Sequence, residues 1–175
     1  NGVGIKFQPF KYDQIATEDF EWYEVYQELY INESEWAKIF DKAYDTKDIW
    51  IDVFDLYGVS IIQKNLDNIY GLKLQTSILD NQEVYQALQG IDISKLKLII
   101  NIAGRSKTDI KDIVRKYEAL NIEELLLEVG FQAYPTDLSD SGLSKIKYLK
   151  LNVLHICIIY IYIYTCICMY IYIYI

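Results

Sequence analysis

Between Asn1 and Lys150 the sequence has no cysteine, no histidine and no methionine. That stretch therefore holds no disulfide framework, no cysteine nucleophile, no Ser-His-Asp triad and no histidine-based zinc site. The three cysteines (Cys157, Cys166, Cys168), the single histidine (His155) and the single methionine (Met169) all lie beyond it. Positive charge is also scarce. Seventeen Lys and Arg stand against 25 Asp and Glu, giving a formal net charge of −8 and a pI of about 4.7. Nucleic-acid binding needs a basic stripe that displaces counter-ions, and this composition argues against one. An anionic ligand would have to be held by a few local cations. No signal peptide is legible at the start, where "NGVGIKFQPFKYD" reads as the end of a strand. A chain of 175 residues suits one domain that buries roughly 70% of its unfolded surface.

The last stretch, 151–175, is of low complexity and dominated by Ile, Tyr and Cys. It permits three readings. By hydropathy it exceeds the roughly 20 apolar residues that span a bilayer. Tyr160, Tyr162, Tyr164, Tyr170, Tyr172 and Tyr174 would however put phenol hydroxyls through the middle of such a span, where membrane helices avoid them. Their period of two is a strand signature, and Ile and Tyr both favour strands. In the third reading the run is translated dinucleotide repeat, because its residue types can all be written with codons that alternate purine and pyrimidine. On that reading 151–175 is no native domain.

Up to Lys150, β-branched runs alternate with amphipathic stretches, the mark of a parallel sheet with crossover helices. The strands read as Gly4 to Phe7, Ile49 to Val53, Ile69 to Leu74, Leu96 to Ile102 and Leu125 to Val129. Asn32 with Glu35 and Ser106 with Asp109 form capping patterns before amphipathic helices; Asn81 caps another, and Gly142 opens a last one carrying Leu143, Ile146 and Leu149 inward. "TEDFEWYEVYQELY" reads as a further helix, with enough aromatics to pack against a neighbouring element. Most apolar stripes are core. Ligands of βα folds gather at the carboxyl ends of the strands. The positions to inspect are thus Lys6 and Gln8, Asp52 to Asp55, Lys73 to Ser77, Asn101 to Ser106, and Gly130 to Asp137.

Three of those strand ends carry a resemblance. "IKFQPFKYD", "YGLKLQTSILDN" and "VGFQAYPTDLSDSGLSKIKYLK" resemble, in order and spacing, the two lysine-bearing strands and the Tyr-Pro-Thr loop of the sialic acid synthases (N-acetylneuraminate synthases). The likeness covers nearly all of 1–150. It implies an incomplete (β/α)8 TIM barrel, with the five strands as the second to sixth. It also implies a transferase that condenses phosphoenolpyruvate with N-acetylmannosamine or a related sugar to give a nonulosonic acid. The family is cytoplasmic and homodimeric and uses a divalent metal, Mn or Mg, whose histidine ligands lie on strands not represented here. By the resemblance Lys6, Lys73 and Tyr134 are catalytic, while Gln8, Thr76, Asn101 and Gln132 bind substrate.

Residue chemistry agrees in part. A net-negative protein needs fixed cations for a phosphate and a carboxylate, and lysines buried at strand ends need an anionic partner. The plainer alternative is that each lysine reaches solvent or pairs with a nearby Asp, and that Tyr134 simply packs beside a rigid Pro135 turn. Two departures from the family stand out. Ile78 occupies a place where the family has Asp or Glu, and Asp52 one where Thr is usual near the phosphate. An acid there repels substrate unless it is turned away or paired. "LIINIAGRSK" also lacks the family's Ser-Thr-Gly-Met pattern. A fragment inactive on its own is therefore one expectation. The others are a non-catalytic domain binding a phosphometabolite or a partner chain, and a tail-anchored membrane protein.

Overall fold

A computed structural model of the chain describes residues 4–130, 144–152 and 157–160. Within them one parallel sheet runs in the order β1-β2-β3-β4-β5-β6. Its strands are β1 Gly4–Phe7, β2 Asp48–Val53, β3 Gly71–Leu74, β4 Lys97–Asn101, β5 Glu124–Val129 and β6 Cys157–Tyr160. Each strand lies beside its successor, which is the winding of a (β/α) barrel rather than of a doubly wound sheet, whose order reverses at a switch point. The domain is α/β and partially TIM-barrel-like, with β1 and β6 as the sheet's edges among the described residues.

Helices α1 Tyr12–Ile15, α2 Tyr23–Glu28 and α3 Glu33–Tyr44 lie between β1 and β2. Helix α4 Leu56–Lys64 and a 3-10 turn at Leu66–Asn68 join β2 to β3. Helix α5 Gln82–Gln89 joins β3 to β4, α6 Lys107–Glu118 joins β4 to β5, and α7 Ser144–Asn152 precedes β6. The expected caps form: Asn32 and Ser106 each close a reciprocal box with the residue three positions on, and the Asn81 side chain accepts from Val84 N. Leu149 is buried with Ile146 packed beside it, whereas Gly142 and Leu143 lie outside the described residues.

Register sorts the strand residues onto two faces. Ile51 pairs with Leu72, Leu72 with Leu98, and Leu98 with Leu125, so this apolar row meets the helices. Trp36, Phe40, Ile61, Ile62, Val84, Leu88, Ile110 and Tyr117 join it in one core. The opposite row pairs Lys6 with Trp50, Trp50 with Gly71, and Asp52 with Lys73. On this second face Ile99, Leu126 and Trp50 form a separate small apolar cluster. Polar groups flank it, with Lys97 and Glu124 ion-paired at 3.0 Å toward the strand starts.

Two elements differ from the sequence expectation. The aromatic segment at 17–30 folds into a helix of only six residues with no buried side chain, and Trp22 and Leu29 are 54% and 57% exposed. Its rings pack, as expected, on neighbouring elements: Tyr26 on Phe10, Tyr23 and Tyr30 on Tyr12 of α1, and Tyr30 on Tyr57 of α4, with one stack, Phe20–Tyr26, inside the segment. Helix α4 was not anticipated, because "LYGVSIIQK" is apolar on most sides and buries Tyr57, Gly58, Val59, Ile61 and Ile62. Beyond Lys150, α7 ends at Asn152 and Cys157–Tyr160 pairs in parallel with β5. No described helix is long and apolar enough to cross a membrane.

Candidate active site

The carboxyl ends of β1 to β5 bring together the charged residues of the sheet's second face. Lys6 on β1 donates to Asp52 Oδ2 on β2 at 2.8 Å. Gln75, just past β3, donates to the same oxygen at 3.1 Å, and Gln8 reaches it at 3.4 Å. The side-chain Oε1 of Gln75 accepts from Asn101 Nδ2 at 3.3 Å; that amide also donates to Glu128 Oε1 on β5 at 3.1 Å. Lys73 on β3 closes the network, its Nζ 2.6 Å from Glu128 Oε2. This last is a close ionic contact without hydrogen-bond alignment. It spans two strands, a Cα separation of roughly 10 Å, which a lysine and a glutamate on one face bridge when both extend.

These groups are deeply placed. Asp52 is 0% exposed, and Lys73, Asn101 and Glu128 are each 5% exposed. Isolated charges at that depth are costly, and mutual pairing is what makes the cluster tolerable. The acid at Asp52, a source of repulsion when considered by itself, is thus paired with Lys6. The plainer fate of a lysine beside a nearby acid is realised at both Lys6 and Lys73. Glu128 was not anticipated, although a single charge inside "ELLLEV" marks a strand residue with a polar task.

Beside the network a cleft of about 460 Å³ is lined by Phe54, Gln75, Thr76 and Ser77. Thr76 Oγ1 donates to Ala103 O at 3.0 Å and accepts from Arg105 Nε at 3.0 Å. Arg105 also donates to Thr76 O at 2.6 Å and pairs with Asp80 at 2.8 Å. These bonds tie the loop after β3 to the loop after β4, where Gly104 takes a φ of 74° with open space around it. Asp55 accepts from Gly58 N and from Lys11 N, both at 2.7 Å, so it caps α4 and anchors the exit of β1. Burial pushes its carboxyl pKa up, against the lowering effect of those N–H bonds. Ile78 is buried in the main core. Tyr134 and Gln132 lie outside the described residues.

No protein-family model matches the chain, and no curated protein matches it by sequence. Solved structures do. An N-acetylneuraminic acid (sialic acid) synthetase from Leptospira borgpetersenii serovar Hardjo-bovis, in complex with citrate, superposes with a TM-score of 0.76 at 18% identity, covering 91% of this chain and 54% of that one. The chain shares the fold of the sialic acid synthases. A putative spore coat polysaccharide biosynthesis protein E from Chromobacterium violaceum gives 0.74 at 18% identity, covering 91% and 48%. The spore coat polysaccharide biosynthesis protein of Bacillus subtilis gives 0.69 at 16%, covering 91% and 44%. The chain therefore spans about half the length of these synthase-fold neighbours. The sialic acid synthase resemblance also implies a divalent metal. The described residues do not fit one: they contain no group of three or more His, Cys, Asp or Glu side chains placed to hold it, and the two buried carboxylates of the network each face a lysine.

Proposed function

We propose that the strand ends of this chain bind the phosphate and carboxylate of phosphoenolpyruvate, as part of a sugar-acid synthase that joins it to N-acetylmannosamine or a related sugar. One observation carries the reading: a half-buried lysine, a buried lysine and two amide side chains, from the ends of β1, β3 and β4, lie on one face at the carboxyl end of a barrel-like sheet. Lys6 and Lys73 supply charge, Gln75 and Asn101 supply directional N–H donors, and burial strengthens each contact with an anion. Citrate, the ligand of the Leptospira structure, is likewise a polyanion. Tyr134 and Gln132 are assigned to sugar and phosphate by resemblance alone. In the complete synthase the enol carbon attacks the aldehyde of the open-chain sugar, water adds, and phosphate leaves. Because this chain spans about half of its neighbours, binding is the property assigned to these residues, and turnover to the longer enzyme. A cytoplasmic homodimer is part of the same proposal.

Ile78 favours a second reading, binding without turnover, since a buried alkyl group stands where the synthases have an acid. Calorimetric titration with phosphoenolpyruvate tests the first step. Saturable binding is expected, with a loss of at least about tenfold in Lys73→Met, whose fold is checked by circular dichroism. Equal binding by wild type and variant would remove Lys73 from the site. Phosphate release on adding N-acetylmannosamine to the longer enzyme separates the two readings.

A further inference from the structure

We infer that Asp52 and Glu128 are built-in stand-ins for the acidic groups of the ligand, so that an anion enters by exchange rather than by filling a ready cationic pocket. The inference rests on the anion-site reading above and adds to it what holds the site closed. Three N–H donors, from Lys6, Gln8 and Gln75, converge on one oxygen, Asp52 Oδ2. A single phosphate or carboxylate oxygen would collect the same set. Glu128 spans the second pair of groups, its Oε1 accepting from Asn101 and its Oε2 lying against Lys73. A ligand carboxylate would bridge those two groups in the same way. The two ends of the network thus reproduce, with the protein's own side chains, the contacts that a molecule with two acidic groups requires.

Charge gives the same answer. Lys6 and Lys73 together balance Asp52 and Glu128, so the four charged groups of the network sum to zero, and Arg105 nearby is paired with Asp80. A dianion added to this arrangement meets no net attraction unless the carboxylates give way. Each is only partly held. Among the described residues Asp52 Oδ1 is buried without a hydrogen bond, and Glu128 Oε2 is held by charge alone, 2.6 Å from Lys73 Nζ, although an ionised carboxylate offers about four acceptor sites. A carboxylate with an unmet oxygen loses less on leaving than a fully bonded one, and solvation outside the cluster makes up part of that loss.

The test compares wild type, Asp52→Asn and Glu128→Gln by calorimetric titration with inorganic phosphate and with phosphoenolpyruvate at low salt. Each substitution removes a competing charge while keeping the side chain's shape. Either is expected to tighten phosphoenolpyruvate binding at least fivefold relative to the saturable binding expected of wild type. The two positions lie on different strands and are tested separately, so a misfolded variant at one leaves the other. A third readout needs no variant: infrared difference spectra of wild type with phosphate should show a shifted carboxylate band as Asp52 and Glu128 leave their ammonium partners. Wild-type binding with no gain in a folded variant, or with no carboxylate shift, overturns the exchange while leaving the anion site standing. Absence of binding in wild type and variants alike overturns the anion site itself.

Discussion

Gly71 sits directly opposite Trp50 in the register of β2 and β3, and the indole lies across it. A Cβ built at Gly71 would fall 2.4 Å from Trp50 Cζ3 and 2.7 Å from Cε3. The ring cannot simply withdraw, because it packs edge-on to Tyr70 and against Ile99 and Leu126. Glycine is thus required here by space, not by backbone conformation. Gly71→Ala should destabilise by about 1–3 kcal/mol, the usual cost of overpacking. Trp50→Leu in the same chain should recover most of that loss, and urea unfolding of the two single variants and the double variant measures the coupling. At this scale Lys6, Lys73 and Asn101 were legible from the sequence, because polar residues at the ends of apolar strands are conspicuous. Asp52 and Gln75 stood among the same strand-end positions, with pairing to a nearby acid as the plainer alternative, but Glu128 was missed and the individual pairings were not legible. Glu128 meets Lys73 across an intervening strand, and Gln75 meets Asp52 from a loop, so neither pairing has a sequence spacing to betray it.

Among the elements, capped helices were the most legible. The Ser106 box ties Asp109 N to the serine hydroxyl at 3.2 Å and returns Asp109 Oδ2 to Ser106 N at 3.1 Å. It fixes the start of α6 directly after Arg105, which spans the loops beside the candidate site. Ser106→Ala should cost about 1 kcal/mol, the common value for a lost N-cap. Because Arg105 is the neighbouring residue, weaker phosphoenolpyruvate binding should accompany the lower melting temperature. Asn32→Ala, at the start of α3 and far along the chain from that loop, should lower stability by a similar amount and leave binding unchanged. A comparison of thermal melts and titrations for the two variants distinguishes a local loosening of the site from a general one. The elements that sequence reading missed share one physical cause. Helix α4 is buried on most sides and so shows no amphipathic period, while the 17–30 segment spends its aromatic residues on contacts to α1, the β1 exit and Tyr57 rather than on one long buried stripe.

For the molecule as a whole, the parallel sheet with crossover helices was readable from the alternation of apolar and amphipathic stretches, while its sequential strand order came only from the sialic acid synthase resemblance, and edge behaviour is the consequence that remains to be tested. Among the described residues strand β1 has β2 on one side only, and Ile5 within it is 37% exposed. An exposed apolar edge templates pairing with a second chain. The net charge of −8 opposes that encounter, and added salt, which shortens the Debye length to about 3 Å at 1 M, removes the opposition. Association measured by sedimentation velocity should therefore rise with salt as well as with protein concentration. Ile5→Lys places a charge on the edge, a common means of blocking such pairing. It also moves the net charge from −8 to −7, which by general repulsion alone would favour association slightly. A fall in association on Ile5→Lys consequently identifies the β1 edge as the contact. Tyr44→Lys, which changes an exposed apolar residue (49% exposed) at the end of α3 and shifts the net charge identically, should leave association nearly as it was. Equal effects from the two substitutions would assign the association to apolar surface in general and remove the β1 edge from the account.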